Sequence, residues 1–262
     1  MHKLCIGDIR NWMSTNFLKL NDDKTEMLLI QSKHHQKIDF PNLMVGNEEI
    51  EQTSQARNIG ILFDSSMTME NEVTSKAQSA FMHLRKIWKI RIYLTREATE
   101  TLVHAFITSK LDYCNSLLYG LPKNIIQKLQ RVQNAAARVV TLSSKFDHVT
   151  PILYELHWLP IAERIEYKIL LLTFKALHNM APQYIRDLIV LYRGDKDLRA
   201  NDQLKLVVPR SHLVTYGDRA FSVAAPHLWN MYTLSVGLRR SENMNSFKLK
   251  LKTYLFKKCY LY

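Results

Sequence analysis

Apolar positions recur at helical spacing over most of the chain and alternate with polar ones over a short stretch near its start. Ile6, Ile9, Trp12, Met13 and Phe17 fall on one face of a helix spanning residues 3–18. Asn21, Asp22 and Asp23 end it, because short polar side chains bond their own backbone and favour turns. Four strands are then expected: 26–31, the pair 43–45 and 49–51 around a Gly46-Asn47 turn, and 58–63 with Gly60 inside it. From residue 65 the period becomes helical. Residues 65–68 offer N-caps, and Val73, Ala77, Ala80, Phe81, Leu84 and Trp88 share one face. A helix over 96–118, capped by Thr95, is apolar on two sides, which places it centrally in a bundle with Tyr113 and Cys114 in the core. Gly120-Leu121-Pro122 separates it from a helix with the stripe Ile125, Ile126, Leu129, Val132, Ala136, Val139 and Val140. Further helices follow after Thr150-Pro151, over 161–179, and from Pro182 to about Tyr192. The rest is irregular, with a strand at 204–208 and a closing helix from Ser246 striped by Phe247, Leu251, Tyr254 and Leu255.

This order predicts an α+β chain: a small antiparallel sheet followed by a predominantly α-helical bundle, divided as 1–64, 65–192 and 193–262. A chain of 262 residues buries a sizeable core, and 47% hydrophobic with 23% charged residues excludes a disordered polymer. Seven glycines and seven prolines favour helices over a many-stranded sandwich. Cys5, Cys114 and Cys259 are too far apart for a disulfide framework or a zinc site, which points to a reducing compartment. The most apolar run, 165–177, is interrupted by Lys168 and Lys175, and Asp8 and Arg10 stand where a secretory leader would be apolar. A cytoplasmic or nuclear protein, not secreted and without a membrane partner, is the expectation.

Charge changes the picture most. The formal net charge is +12, and its distribution is uneven: residues 1–80 carry −3, residues 81–181 +7 and residues 182–262 +8. A polyanion is implied, nucleic acid before a membrane surface. Arg85, Lys86 and Lys89 lie opposite the apolar face of their helix. Gln127, Gln130, Arg131, Asn134 and Arg138 lie opposite the stripe of the helix after Pro122, and no acid occurs between Asp112 and Asp147, whereas Lys123, Lys128 and Lys145 do. Arg131 and Arg138 are two turns apart, about 10.5 Å by helical rise, so both could meet phosphates of one strand; a solvated face is the alternative. The lysines around the closing helix, Lys248, Lys250, Lys252, Lys257 and Lys258, admit phosphates or a membrane surface. Two carboxylate pairs are open to two readings each. Asp22 and Asp23 form a magnesium corner or a solvated turn, and Glu163 with Glu166 form an acid/base pair or ion-pair with Arg164 and Lys168.

The pattern W-M-x-x-N-x-L-x-L-N-x-x-K-T-E over 12–26 resembles the late palm of reverse transcriptases from LINE-type, non-LTR retrotransposons of the jockey-like group. The segment ARNIGILFD (56–64) resembles the primer-grip strand that follows, with Gly60 and a closing Asp64. LTREATETLVHAFITSKLDYCNSLLYGLP, LQRVQNAAARVV, LHWLP and YGDRAFSVAAPHLWN resemble the thumb and later region, so the likeness runs over nearly the whole chain. It implies that Lys24 is a catalytic residue assisting the pyrophosphate leaving group, with an ion pair to Asp22 or Asp23 as the alternative. Asp22 and Asp23 fall on variable positions of the motif, which argues against a metal role. The first palm aspartate, the Ala-Asp-Asp motif, the fingers and the endonuclease have no counterpart here. Two-metal nucleotidyl transfer needs those carboxylates. The resemblance therefore implies a fragment of an RNA-directed DNA polymerase that binds RNA and RNA–DNA template–primer through Gly60, Arg85, Lys86, Lys89, Lys128, Arg131 and Arg138 but does not polymerise alone. It would hold no cofactor of its own, Mg2+ belonging to the intact enzyme, and the missing upstream polymerase portion would be a partner. A stand-alone nucleic-acid-binding module and an inert pseudogene product remain the alternatives.

Overall fold

A computed structural model describes residues 2–21, 24–32, 41–45, 48–192, 204–211, 213, 215–231 and 235–261. The fold is mixed, helical with only short strands among these residues, and the chain divides into two compact units, 1–72 and 73–262.

Unit 1 begins with α1 (His2–Thr15). The helix stops where the Asn16 side chain donates to the Trp12 carbonyl and Phe17 enters the left-handed region at φ 58°. The apolar face expected to be buried is largely bare: Ile9 and Trp12 are exposed, and Phe17 is 99% exposed. The strands β1 (Met27–Leu28), β2 (Leu43–Val45), β3 (Glu48–Ile50), β4 (Gln52–Thr53), β5 (Gln55–Asn58) and β6 (Ile61–Asp64) form three two-stranded ladders, not one antiparallel sheet. The β2–β3 hairpin is present as expected, with Leu43 opposite Ile50; its Gly46-Asn47 turn lies outside the described residues. The strand expected over 26–31 shrinks to β1, which pairs parallel with β4. The strand expected over 58–63 is corrected to the tight hairpin β5–β6, Asn58 pairing with Ile61. Its two turn residues, Ile59 and Gly60, have φ of 47° and 78°, the positive pair that a type I′ turn requires. Val45, Ile50, Ile61 and Met69 make the small core.

Asp64 joins this hairpin to α2 (Glu70–Ile90). Its carboxylate accepts from the backbone N–H of Ser66, Thr68 and Met69 and from the Thr68 hydroxyl, 2.7–3.1 Å. Burial works to raise the Asp64 carboxyl, but these donors, the Thr68 and Met69 amides foremost, hold it below its ordinary value. Thr68, within the expected capping residues 65–68, accepts from the Glu70 N–H at 3.4 Å, while Asp64 holds the 66–69 turn that leads into the helix.

Unit 2 starts within the first turn of α2. Val73, Ala77, Ala80, Leu84 and Ile87 are buried at alternating spacings of four and three, and the next position in that series is Arg91, only 6% exposed. Arg91 opens a 3-10 turn (Arg91–Tyr93) and its guanidinium donates to the carbonyls of Val139 (2.9 Å), Val140 (2.9 Å) and Leu94 (2.8 Å). The first two are free carbonyls at the end of α5 (Lys123–Thr141), so one cation closes a helix C-terminus.

The helix expected over 96–118 is corrected to a series of pieces. Thr95 caps α3 (Arg96–Val103) as expected, a π turn follows at His104–Thr108, then α4 (Ser109–Asp112) and a 3-10 turn at Asn115–Leu118. The chain breaks at Tyr113-Cys114, with Cys114 at φ 52°, and side chains from elsewhere meet carbonyls at and beyond the break. Lys76 donates to the Tyr113 carbonyl (2.8 Å), and Arg219 donates to those of Leu117 and Tyr119 (3.3 and 3.1 Å). Tyr113, expected in the core, is exposed.

Around α5 pack α6 (Val149–Glu155) and α7 (Ile161–Leu177), and the short α8 (Gln183–Arg186) packs on α7. The segment after residue 204 joins the same core. Leu206 forms a bridge with Leu191 and a reciprocal pair of hydrogen bonds with Asn230 at the end of α9 (Phe221–Asn230). After α10 (Val236–Arg239), α11 (Met244–Tyr260) sets Phe247 against Phe174 of α7, ring centroids 4.2 Å apart, and against Trp229 of α9 at 5.9 Å. Gly120, at φ 69°, could carry no side chain, since a Cβ would lie 2.7 Å from the Arg219 stem.

Two stability predictions follow from these polar links. Arg91→Met should cost roughly 3 kcal/mol in urea unfolding by leaving two helix-end carbonyls unmet, and Arg91→Lys should recover little of it, since one ammonium cannot span three carbonyls. Asp64→Ala should cost ~1 kcal/mol at neutral pH. Because the folded Asp64 carboxyl lies below its ordinary value of 3.8, its contribution is present above that value and lost as pH falls through the folded one. Wild-type and Asp64→Ala unfolding curves should therefore converge in acid.

Candidate nucleic-acid interface

On α2 the buried apolar positions are five residues at heptad-like spacing, and the stripe beside them is open. Phe81, Met82, Arg85, Lys86, Trp88 and Lys89 are exposed, Trp88 at 56%, and Tyr93 just beyond the helix is 81% exposed. Phe81 and Trp88, expected in the core, are corrected to the surface. They lie seven residues apart and one position beyond Ala80 and Ile87, which hold the true seam. Arg85, Lys86 and Lys89 have no ion-pair partner among the described residues, so three cations and three aromatic rings share one exposed strip. Aromatic faces with interleaved cations suit nucleobases and phosphates together. His83 sits at its edge, stacked on Phe106 at 5.6 Å; burial, then Lys110 and Lys86, push its pKa down and favour the neutral ring.

The basic residues of α5 divide into three kinds. Lys128 donates to the Thr74 hydroxyl of α2 at 3.1 Å, so it ties two helices together. Arg138 is half-buried and donates to the Asp147 carbonyl at 2.8 Å, bracing the loop after α5, whose Ser144 N–H bonds the Asp147 carboxylate. Arg131 is exposed and has no side-chain partner among the described residues. The pair of arginines expected to act together is therefore split between a structural and an available one. Of the amide stripe, Gln130 and Asn134 are bonded to each other while Gln127 is exposed, and the buried Gln133 beside them also bonds internally. Gln130 accepts from the Ile161 N–H (2.9 Å) at the start of α7, and Gln133 donates to the Leu159 carbonyl (2.8 Å).

Helix geometry relates Arg85 to Arg131. Lys128 meets Thr74 near the start of α2, and Arg91 meets the end of α5, so the two helices run in the same direction. Arg85 follows Thr74 by eleven residues, about three full turns, and so returns to the side of α2 facing Lys128. Arg131 is one turn beyond Lys128. The two arginines border the same seam, separated along it by about 12 Å from their helical rises.

In unit 1, Lys24 is exposed after a turn in which its N–H bonds the Asn21 carbonyl at 3.3 Å; Asp22 and Asp23 lie outside the described residues. Gly60 is exposed at a hairpin tip, and its carbonyl accepts from the Arg57 guanidinium at 3.2 Å. Neither Glu163 nor Glu166 pairs along its own helix. Glu166 binds Lys258 of α11 at 2.8 Å, and Arg164 reaches across to Asp112. Glu163 is pushed up by burial first and then by Glu166, and the Cys259 thiol beside it is raised to about 12 by burial and by Glu163, which leaves it protonated and inert as a nucleophile. Among the described residues no three His, Cys, Asp or Glu side chains converge as a metal site, and no helix is long and apolar enough to cross a membrane. No family model, curated protein or solved structure matches the chain.

The division of α5 predicts different outcomes for two like substitutions. Arg138→Glu should lower the thermal midpoint of the protein by several degrees, about 1–2 kcal/mol, by leaving the 144–147 loop unbraced. Arg131→Glu should leave it within about 0.5 kcal/mol of wild type.

Proposed function

We propose that this chain is the late-palm and thumb-like part of a non-LTR retrotransposon reverse transcriptase, and that it binds RNA–DNA template–primer without catalysing nucleotidyl transfer by itself. The observation that carries the reading is the exposed strip of Arg85, Lys86, Lys89, Phe81, Trp88 and Tyr93 on α2 with Arg131 across the seam on α5, on a chain of net charge +12. Unpaired cations there can release counterions from a backbone. Unit 1 supplies a second support for the fragment reading. Its three two-stranded ladders and the bare apolar face of α1 suit a domain whose remaining strands and covering surface belong to an upstream portion. Lys24 stays a candidate for the leaving-group role on the sequence resemblance alone. Gly60, at the tip of a hairpin, would meet a primer end through backbone rather than side chain. The stand-alone binding module differs from this reading in ancestry, not in the surface used.

Fluorescence anisotropy with a labelled RNA–DNA hybrid tests the proposal. Binding should weaken with salt at a log–log slope of about −3, as for three or four neutralised phosphates. The triple variant Arg85→Glu, Lys89→Glu and Arg131→Glu should lose about 2.7 units, nearly all of that slope. Salt-insensitive binding, or primer extension by the isolated chain with Mg2+, would contradict the assignment.

A further inference from the structure

A second feature of unit 2 lies apart from the α2 and α5 strip. Five segments enclose a cleft of about 440 Å³: α3 with its π turn, the 112–115 corner, the 156–159 loop, α7 and α11. This volume is of the size that holds a small molecule. The cleft wall includes the π turn His104–Thr108, in which His104 Nδ1 lies 3.3 Å from the Thr108 hydroxyl; such single π turns recur at functional sites.

The two carboxylates of the wall are already answered. Asp112 holds Arg164 through both of its oxygens. Glu100 accepts from the indole N–H of Trp158 at 3.3 Å and lies 3.4 Å from His104 Nε2. Lys168 and Lys252, from α7 and α11, also line the cleft and have no hydrogen-bond or ion-pair partner among the described residues. The wall therefore carries a surplus of positive charge. On its floor Asn115 is 3% exposed; its amide nitrogen donates weakly to Asp112 at 3.4 Å, while its Oδ1 is buried without a partner. A buried acceptor left unmet costs free energy that a bound donor would return. Tyr167, also in the wall, is kept protonated by burial and remains a donor.

We infer that this cleft binds a phosphate monoester on a hydroxyl-bearing sugar, with Lys168 and Lys252 holding the phosphate and the Asn115 Oδ1 accepting from a sugar hydroxyl. Two ammonium groups fit a dianionic phosphate, and the lone acceptor needs an O–H beyond it. The same chemistry occurs in a free pentose phosphate and at the 5′ end of an RNA strand.

Isothermal titration of the full chain with ribose 5-phosphate, with a 5′-phosphorylated RNA trinucleotide and with inorganic phosphate distinguishes these. Saturable binding of one of the first two is expected at up to about 5 mM ligand. It should weaken about tenfold or more in the Lys168→Ala, Lys252→Ala double variant, whose melting curve should match wild type because both side chains are at least partly exposed. Binding of the trinucleotide alone identifies a strand end as the occupant. Absence of saturable binding, or binding unchanged in the double variant, would overturn the site. Inorganic phosphate binding as tightly as ribose 5-phosphate would overturn the role given to Asn115.

Discussion

The interaction on which unit 2 depends is the guanidinium of Arg91 lodged against the end of α5. It sits at a position where the seam of α2 calls for an apolar side chain, yet it is buried because its donors meet the carbonyls of Val139, Val140 and Leu94. A buried cation that satisfies a helix C-terminus lowers two costs at once, its own desolvation and that of the free carbonyls. By fixing the end of α2 to the end of α5 it also sets which side of each helix is left open. The exposed strip of Phe81, Arg85, Trp88 and Lys89 is the consequence.

The motifs that carry the resemblance acquire a physical meaning from their contacts. Asp112 holds Arg164, Gln133 holds the Leu159 carbonyl beside Trp158, and Arg219 grips the turn around Gly120. The second and third join one motif to another distant in sequence, and the first ties a motif residue to α7. Such residues are fixed by packing and polar satisfaction, so they speak for the architecture, whereas the residues available to a ligand lie beside them: Arg131, Lys89, Trp88, Lys168 and Lys252.

How much was legible follows from where each signal resides. The stripe of α5, the cap at Thr95 and the helix start at Pro122 are local patterns, and the structure keeps them. Arg91 was legible in principle, as the sixth member of the series Val73, Ala77, Ala80, Leu84 and Ile87, but taking Phe81 and Trp88 into the same face hid it. The break at Tyr113-Cys114 has no glycine or proline to announce it, and the Lys76 side chain that meets the Tyr113 carbonyl comes from 37 residues away. The Ile59-Gly60 turn was masked by its isoleucine, a β-branched residue that rarely accepts positive φ. Of the basic residues, sequence could identify charge but not employment; Lys128 and Arg138 are distinguished from Arg131 by partners at Thr74 and Asp147.

The outer side of α2 and its seam with α5 are the surface proposed to bind nucleic acid. Ultraviolet crosslinking of the full chain to an RNA–DNA hybrid, with the attached peptides located by mass spectrometry, measures this directly. Adducts at Trp88 and Tyr93, within the segment 81–93, are the predicted result. Adducts confined to the lysines of α11, or equally distributed over both units, would contradict the account.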